Sequence, residues 1–220
     1  MALTLYYHPL SSYCHKVLTA LYEAGTAFDK RSINLGDPAE RAELQAIWPV
    51  GKFPVIRDHA RNRDVAESSI IIEYLDHHLP GAQPLIPARR EDALEVRQWD
   101  RFLDLYVHTP MQEIVFDRLR GSQGDTARFR DTLETAYPML EAHLAGRTWM
   151  AGPGFSLADC AAAPALFYAG AVQPYADRFA HLGAYFERLL GRPSYRRVLE
   201  EARPYFSLFP FADALAKRFL

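Results

Sequence analysis

Along the first 80 residues, short apolar and β-branched runs alternate with stretches whose apolar positions recur every three or four residues. LTLYY (3–7), FDKRSINL, FPVIRD and a brief RDVA read as strands, whereas SSYCHKVLTALYEAG, DPAERAELQAIW and ESSIIIEYLDHHL read as helices. In the first helix Val17, Leu21 and Ala24 share a face and Gly25 supplies a C-terminal stop. In the third, the apolar stripe is read as Ile70, Ile71, Tyr74 and Leu75. The order is βαβαββα, and a strand, helix and strand in so short a span predict a parallel crossover. The periodicity then lapses. PGAQPLIP (80–87) offers Pro and Gly without a repeat, which places a linker over 81–90 between one unit at 1–80 and a second at 91–220.

The second unit shows helical patterns only: EDALEVRQWDRFLDLYVHTPMQEIVFDRLRG, TARFRDTLETAYPMLEAHLAG, SLADCAAAPALFYAG, FAHLGAYFERLLG and SYRRVLEEA. Pro110 predicts a kink in the first of these. Ser156 and Asp159 form an S-x-x-D helix start, a folding signal at the head of an Ala-rich and therefore buried helix. The chain carries no internal repeat.

With 220 residues, 49% apolar and 13% aromatic, the chain can bury a substantial core, which argues against disorder. Its 25 basic and 27 acidic residues leave a net charge of −2 and form no dense basic block, so neither nucleic acid nor an acidic membrane is an expected partner. MALTLYYHPL lacks the basic segment and long apolar core of a secretory signal, and a cytoplasmic protein is expected. CAAAPALFYAGAV (160–172) falls short of the ~20 residues that cross a bilayer and contains Pro164, so it reads as a buried helix. Cys14 and Cys160 are expected as free thiols. No metal site is expected either. Consecutive helical residues such as Asp76, His77 and His78 point about 100° apart, and His8 and His15 near Cys14 lack a fourth ligand. His15 is read as a surface group.

S-S-Y-C (11–14) at the first helix, Phe53-Pro54 before the third strand, Glu67-Ser68 at the next helix start and the all-helical second half together resemble the cytosolic glutathione transferase family. The resemblance covers nearly the whole chain. It implies an α/β thioredoxin-like N-terminal domain that binds glutathione as co-substrate, and an all-α C-terminal domain that shapes the pocket for a small electrophile. It further implies an isologous homodimer and glutathione S-transferase activity.

The resemblance also implies roles for individual residues. Ser11 stands where a redox relative would carry its attacking cysteine, and would donate a hydrogen bond to the sulfur of glutathione. Ser12 is the alternative, because the helix start is uncertain by a residue or two, and Ser11 is also readable as a plain N-cap. Lowering a thiol pKa of about 8.5 by roughly 2 units requires about 2.7 kcal/mol, which one hydrogen bond to a charged sulfur, about 1.5–3 kcal/mol, and a helix dipole can supply. Tyr6 and Tyr7 are early tyrosines of the kind some classes use as the donor. Pro54 is implied to be cis, with the main chain of Phe53 pairing with the cysteinyl backbone of glutathione. Ser68 would hold the γ-glutamyl carboxylate and Glu67 its ammonium, while Lys52 either meets the glycyl carboxylate or is solvated. Tyr106, Met111 and Ile114 are the candidates for the electrophile pocket. The chain lacks the inner Cys and the Arg of an S-S-C-S-x-R signature, which disfavours isomerase activity, and it lacks a Cys at position 11, which disfavours omega-type reduction. A binding protein that kept the fold without turnover is the alternative reading.

Overall fold

A computed structural model describes residues 2–122 and 124–219. Its first half runs β1 (Leu3–Tyr7), α1 (Ser12–Ala24), β2 (Asp29–Ser32), α2 (Pro38–Ile47), β3 (Val55–Asp58), β4 (Arg63–Ala66) and α3 (Ser68–His78). The sheet order is β2-β1-β3-β4, with β1 parallel to β2 and antiparallel to β3, and β3 antiparallel to β4. The parallel pair and the βαβαββα order agree with the hydrophobic pattern.

Strand alternation divides the sheet between two cores. Leu3, Leu5, Ile56 and Val65 face the large core with α1 and α3, while Val55, with Tyr6 and Ala66 beside it, faces a small cluster completed by Ile33 and Leu44. α2 covers that second face through Leu44, and Asp37 caps it by accepting from Ala39 N–H at 2.8 Å and Glu40 N–H at 3.1 Å. α1 ends at Gly25, whose φ of 65° is left-handed and favours glycine. In α3 the stripe is displaced from the expected one. Ile71, Ile72, Tyr74 and Leu75 are buried, whereas Ile70 is 54% exposed, because positions 68, 71, 72 and 75 follow the helical repeat and 70 does not.

The second half contains α4 (Arg90–Leu103), a π-helical turn (Asp104–His108), α5 (Thr109–Leu119), α6 (Ala127–Leu144), α7 (Leu157–Val172), α8 (Ala180–Gly191) and α9 (Pro193–Ala202), followed by short 3-10 turns. A π turn stands where the kink near Pro110 is expected. Pro110 has no N–H for the Tyr106 carbonyl, and one turn earlier the Asp104 carbonyl accepts from the Thr109 N–H, the Thr109 hydroxyl at 2.8 Å and the Tyr13 hydroxyl at 3.4 Å. The segment between α3 and α4 is pinned rather than loose. The Leu85 N–H donates to Asp76 at 2.7 Å, its carbonyl accepts from Leu157 N–H at 2.9 Å, and Gly81 lies so close to Ala24 that a Cβ there would sit 2.6 Å from the Ala24 Cα. Among the described residues no helix is long and apolar enough to cross a membrane.

α7 is the central post, with every residue except Gly170 buried. Its start is fixed by Asp159, which is 0% exposed. One carboxylate oxygen accepts from the Ser156 N–H and hydroxyl at 2.8 and 2.9 Å, the other from Met150 N–H at 2.8 Å and the Tyr185 hydroxyl at 2.6 Å. The S-x-x-D motif is therefore a capping box whose acid also ties α8 and the preceding loop to α7. Asp159→Ala orphans these buried donors and is expected to destabilise the fold by about 3–5 kcal/mol. A fall in the denaturant midpoint checks this, whereas a loss below about 1 kcal/mol would show that water or neighbours replace the carboxylate.

Candidate functional site

The ladder registers bring three of the sequence motifs to one end of the sheet. β1 pairs with β3 as Tyr6↔Val55, and β3 pairs with β4 as Val55↔Ala66. Continuing both registers by one residue sets Tyr7 and Glu67 on either side of Pro54. The loop carrying Ser11, the Phe53-Pro54 segment and the start of α3 at Glu67-Ser68 thus all leave the sheet at the same edge.

At the first of these, Ser11 is the N-cap of α1, with φ −74° and ψ 119°. Its N–H donates to the His8 carbonyl at 3.0 Å, closing a turn, and its hydroxyl oxygen accepts from Cys14 N–H at 3.3 Å. The cap uses the oxygen as acceptor, and the hydroxyl also lies against the Cys14 thiol, a weak acceptor that an anionic sulfur would outcompete for the proton. Ser11 is half-buried, whereas Ser12 is the first helical residue and is only 4% exposed. Of the two serines Ser11 faces the outside. Two buried groups beneath it hold the loop. The Cys14 thiol is pushed up to about 12, chiefly by burial, and stays protonated and inert. His15 is not the surface group expected from sequence. It is 0% exposed, its Nε2 bonds the Pro9 carbonyl at 2.6 Å, its ring packs against Tyr168, and burial lowers its pKa to about 4. Its position on the inner face of α1 leaves it no water.

The Phe53-Pro54 bond is cis, and β3 begins only at Val55. Among the described residues the Phe53 N–H and C=O have no hydrogen-bond partner. The Phe53 ring stacks on His8 with centroids 5.8 Å apart, which joins the second segment to the first. Lys52 next to it is exposed and has no partner among the described residues. At the third segment Glu67 is exposed with φ 67°, an uncommon conformation for a residue other than glycine. Such strain costs of order 1–3 kcal/mol and collects at functional positions. Glu67 provides no side-chain cap, so the first N–H groups of α3, from Ser68 onward, face out of the helix end. Ser68 itself is 7% exposed.

The expected electrophile-pocket residues are not brought together. Met111 and Ile114 are each 2% exposed and belong to the core, in a buried stripe with Leu103 and Val107. Tyr106 falls off that stripe, is 49% exposed and packs against Phe102. Of the early tyrosines, Tyr6 faces the small cluster. Tyr7 packs against the large core, half-buried, with its phenol pushed up by burial and by the nearby Glu201. No group of side chains suited to a metal ion occurs among the described residues.

Residues 5–83 match the glutathione S-transferase N-terminal domain, and residues 104–193 match the glutathione S-transferase C-terminal domain. FtsZ-localized protein A from Caulobacter vibrioides is 31% identical over 91% of this chain and 92% of its own length. The chain belongs to the glutathione S-transferase family. The glutathione S-transferase-like protein LUC7 from Fusarium sp is 32% identical over 58% of the chain, and that match spans 59% of the length of LUC7. Among solved structures, a glutathione S-transferase from Methylobacterium radiotolerans in complex with glutathione sulfonate shares 26% identity and a TM-score of 0.78. It covers 89% of this chain and 93% of its own.

Beside the edge where these transferase-family motifs meet lies an ion cluster with no signature in the sequence. Lys16 of α1 is 0% exposed, yet its ammonium lies 2.6 Å from Asp100, 2.9 and 3.0 Å from the two oxygens of Asp104, and 2.9 Å from the Ser69 hydroxyl. Ser69 in turn donates to Asp100 at 2.7 Å, and His108 bonds Asp104 at 3.3 Å. Burial alone would raise the Asp104 pKa, but the adjacent ammonium holds it well below the ordinary 3.8. Asp100 moves upward, through burial and the like charge of Asp104. The only trace in the sequence is an Asp pair at i, i+4 within an aromatic run. Nothing there reveals a lysine 84 positions upstream.

Removing one member of a buried ion pair costs more than the pair contributes. Lys16→Met is therefore expected to lose about 3–5 kcal/mol near neutral pH, read by denaturant titration. Asp104, with its depressed pKa, contributes stability that is complete above its ordinary 3.8 and lost as pH falls further, whereas the raised Asp100 subtracts stability above that same value. In the variant Asp100 loses its cation and Asp104 keeps only the exposed Arg101 guanidinium at 3.2 Å, so the deficit is expected to shrink as pH approaches about 4 and the carboxylates take up protons. A deficit independent of pH would show that packing, not charge, sets the loss.

Proposed function

We propose that this chain is a glutathione transferase that binds glutathione along this edge, holds its thiol as the thiolate and adds it to a small electrophile. The observation that carries the reading is the convergence of an outward serine hydroxyl, an unpaired Phe53 main chain and an uncapped helix start at one sheet end. Each matches a part of the tripeptide. The Phe53 N–H and C=O pair with the cysteinyl backbone, the α3 start with Ser68 takes the γ-glutamyl carboxylate, and Glu67 takes the γ-glutamyl ammonium. Lys52 meets the glycyl carboxylate. The sulfur then lies at the α1 start, where the Ser11 hydroxyl and the positive helix end favour the anion. The thiolate attacks an electrophilic carbon, by conjugate addition or by displacement of a leaving group, and the site contributes proximity and a stabilised nucleophile.

Two further parts of the reading concern assembly and setting. Ile70 on α3 and Leu94 on α4, 54% and 49% exposed, flank the Glu73–Arg97 ion pair, whose bonds measure 2.8 Å, and a homodimer would cover this face. Two unpaired buried thiols suit the reducing cytoplasm. A second reading rests on the similarity to a protein named for localisation with FtsZ, in which case the fold serves a protein partner without turnover.

Retention on immobilised glutathione followed by turnover of an activated aryl halide separates the two readings. In the enzyme, Ser11→Ala is expected to lower kcat/KM about 10- to 100-fold with little change in glutathione affinity, since one hydrogen bond to a charged sulfur is lost. Ser12→Ala is expected to do much less. Glu67→Gln is expected to raise KM for glutathione more than it lowers kcat, because a charge clamp holds ground and transition states alike. Retention without turnover in the parent supports the partner reading, and a larger effect at Ser12 would mean that the other serine is the donor.

A further inference from the structure

His8 lies between the two segments assigned to the cysteinyl part of glutathione. Its carbonyl accepts from Ser11 N–H at 3.0 Å and its ring stacks on Phe53, with planes 16° apart. In the transferase reading, a sulfur held by Phe53 and directed at Ser11 would have His8 as a neighbour, because His8 contacts both residues. The orientation of that ring is fixed by chemistry. The Leu10 N–H donates to His8 Nδ1 at 3.2 Å, and since a backbone N–H can only donate, Nδ1 carries a lone pair and the proton resides on Nε2. Among the described residues Nε2 has no partner. Burial lowers the His8 pKa from its ordinary 6.5, so the ring is neutral at pH 7 and offers one N–H without adding a positive charge.

Resting on the transferase reading, we propose that His8 is a catalytic hydrogen-bond donor to the electrophile, its Nε2–H stabilising the oxyanion that forms when the thiolate adds to an α,β-unsaturated carbonyl. The sulfur bonds to the β-carbon, and the C=C electron pair shifts to place charge on the carbonyl oxygen, which Nε2–H holds as the enolate. The α-carbon then takes a proton from water, and the hydroxide left behind combines with the proton released when glutathione ionised. The sum is addition of S–H across C=C. A neutral imidazole polarises such an oxygen without surrendering its proton. Conjugated carbonyl compounds are accordingly the substrate class this site favours over alkyl halides, whose displacement develops no oxyanion.

The test compares kcat/KM for an enone and for a benzyl halide in the parent, His8→Phe, His8→Asn and Tyr7→Phe, with glutathione affinity measured for each. His8→Phe keeps a ring on Phe53 but loses both nitrogens. His8→Asn can place its Oδ1 where Nδ1 accepts from Leu10, and so tests the loss of the Nε2 donor alone. Both His8 variants are expected to lose about 10- to 100-fold on the enone, the scale of a lost oxyanion donor, and several-fold less on the halide, with glutathione still bound. Equal losses on both electrophiles, a loss confined to His8→Phe, or the same enone defect in Tyr7→Phe would each overturn the assignment. A parent that turns over the halide but not the enone removes the His8 role and leaves the transferase reading standing. A parent that turns over neither removes both.

Discussion

The Lys16 ammonium, sealed from water between two carboxylates, is the constraint on which the arrangement of this protein turns. It belongs to α1, the helix that carries Ser11 at its start. Its partners Asp100 and Asp104 belong to α4 and the π turn, and Ser69 belongs to α3. One charge thus fixes the helix of the proposed thiolate site, the helix whose start would receive a carboxylate, and the first long helix of the second half. Burying three charges is costly, and such a cluster is tolerated only when every member is paired. That requirement sets the geometry, since a displacement of about 1 Å in any of the three helices leaves a charge without a partner in a region of low dielectric. Two further bridges act farther along α1. Glu23 bonds Arg192 and Ser194, and Glu201 of α9 accepts from Tyr22 at 2.7 Å and pairs with Lys30 at 2.5 Å. They lie partly exposed and contribute less.

What the sequence disclosed and what it withheld follow from the range of the interactions involved. The βαβαββα order was legible because each strand and helix is declared by its own periodicity, and Gly25 and the Ser156-Asp159 box are local signals with local effects. The four motifs that mark the family were legible as well. Three consecutive isoleucines hide the phase of α3, and packing in the large core is what buries Ile71 and Ile72 and leaves Ile70 outside. Tyr106, Met111 and Ile114 share an apolar, aromatic-rich stretch, yet the buried stripe through Leu103, Val107, Met111 and Ile114 passes one residue to the side of Tyr106. His15 reads as a surface group in the sequence, yet the Pro9 carbonyl, six positions back, and the Tyr168 ring from α7 enclose it. The Lys16 cluster spans 16 to 104 and could not be read from any window of the chain.

The chemistry assigned to the site depends on a division of labour among groups that differ in their freedom to move protons. Cys14 and His15 are buried and held in their neutral forms, so neither competes as nucleophile or base. Ser11 and His8 belong to the same turn, and each carries one donor with no strong acceptor among the described residues. A thiol bound there would meet donors but no neighbouring carboxylate of the loop itself, and that is the electrostatic condition for keeping sulfur as an anion.

The most direct measure of this account is the ionisation of glutathione in its complex with the parent protein, followed by thiolate absorbance as pH is raised at saturating ligand. The account predicts a midpoint about 1–2 units below the ~8.5 of an ordinary thiol. A complex that forms but ionises at the free value would contradict it, as would failure of glutathione to bind.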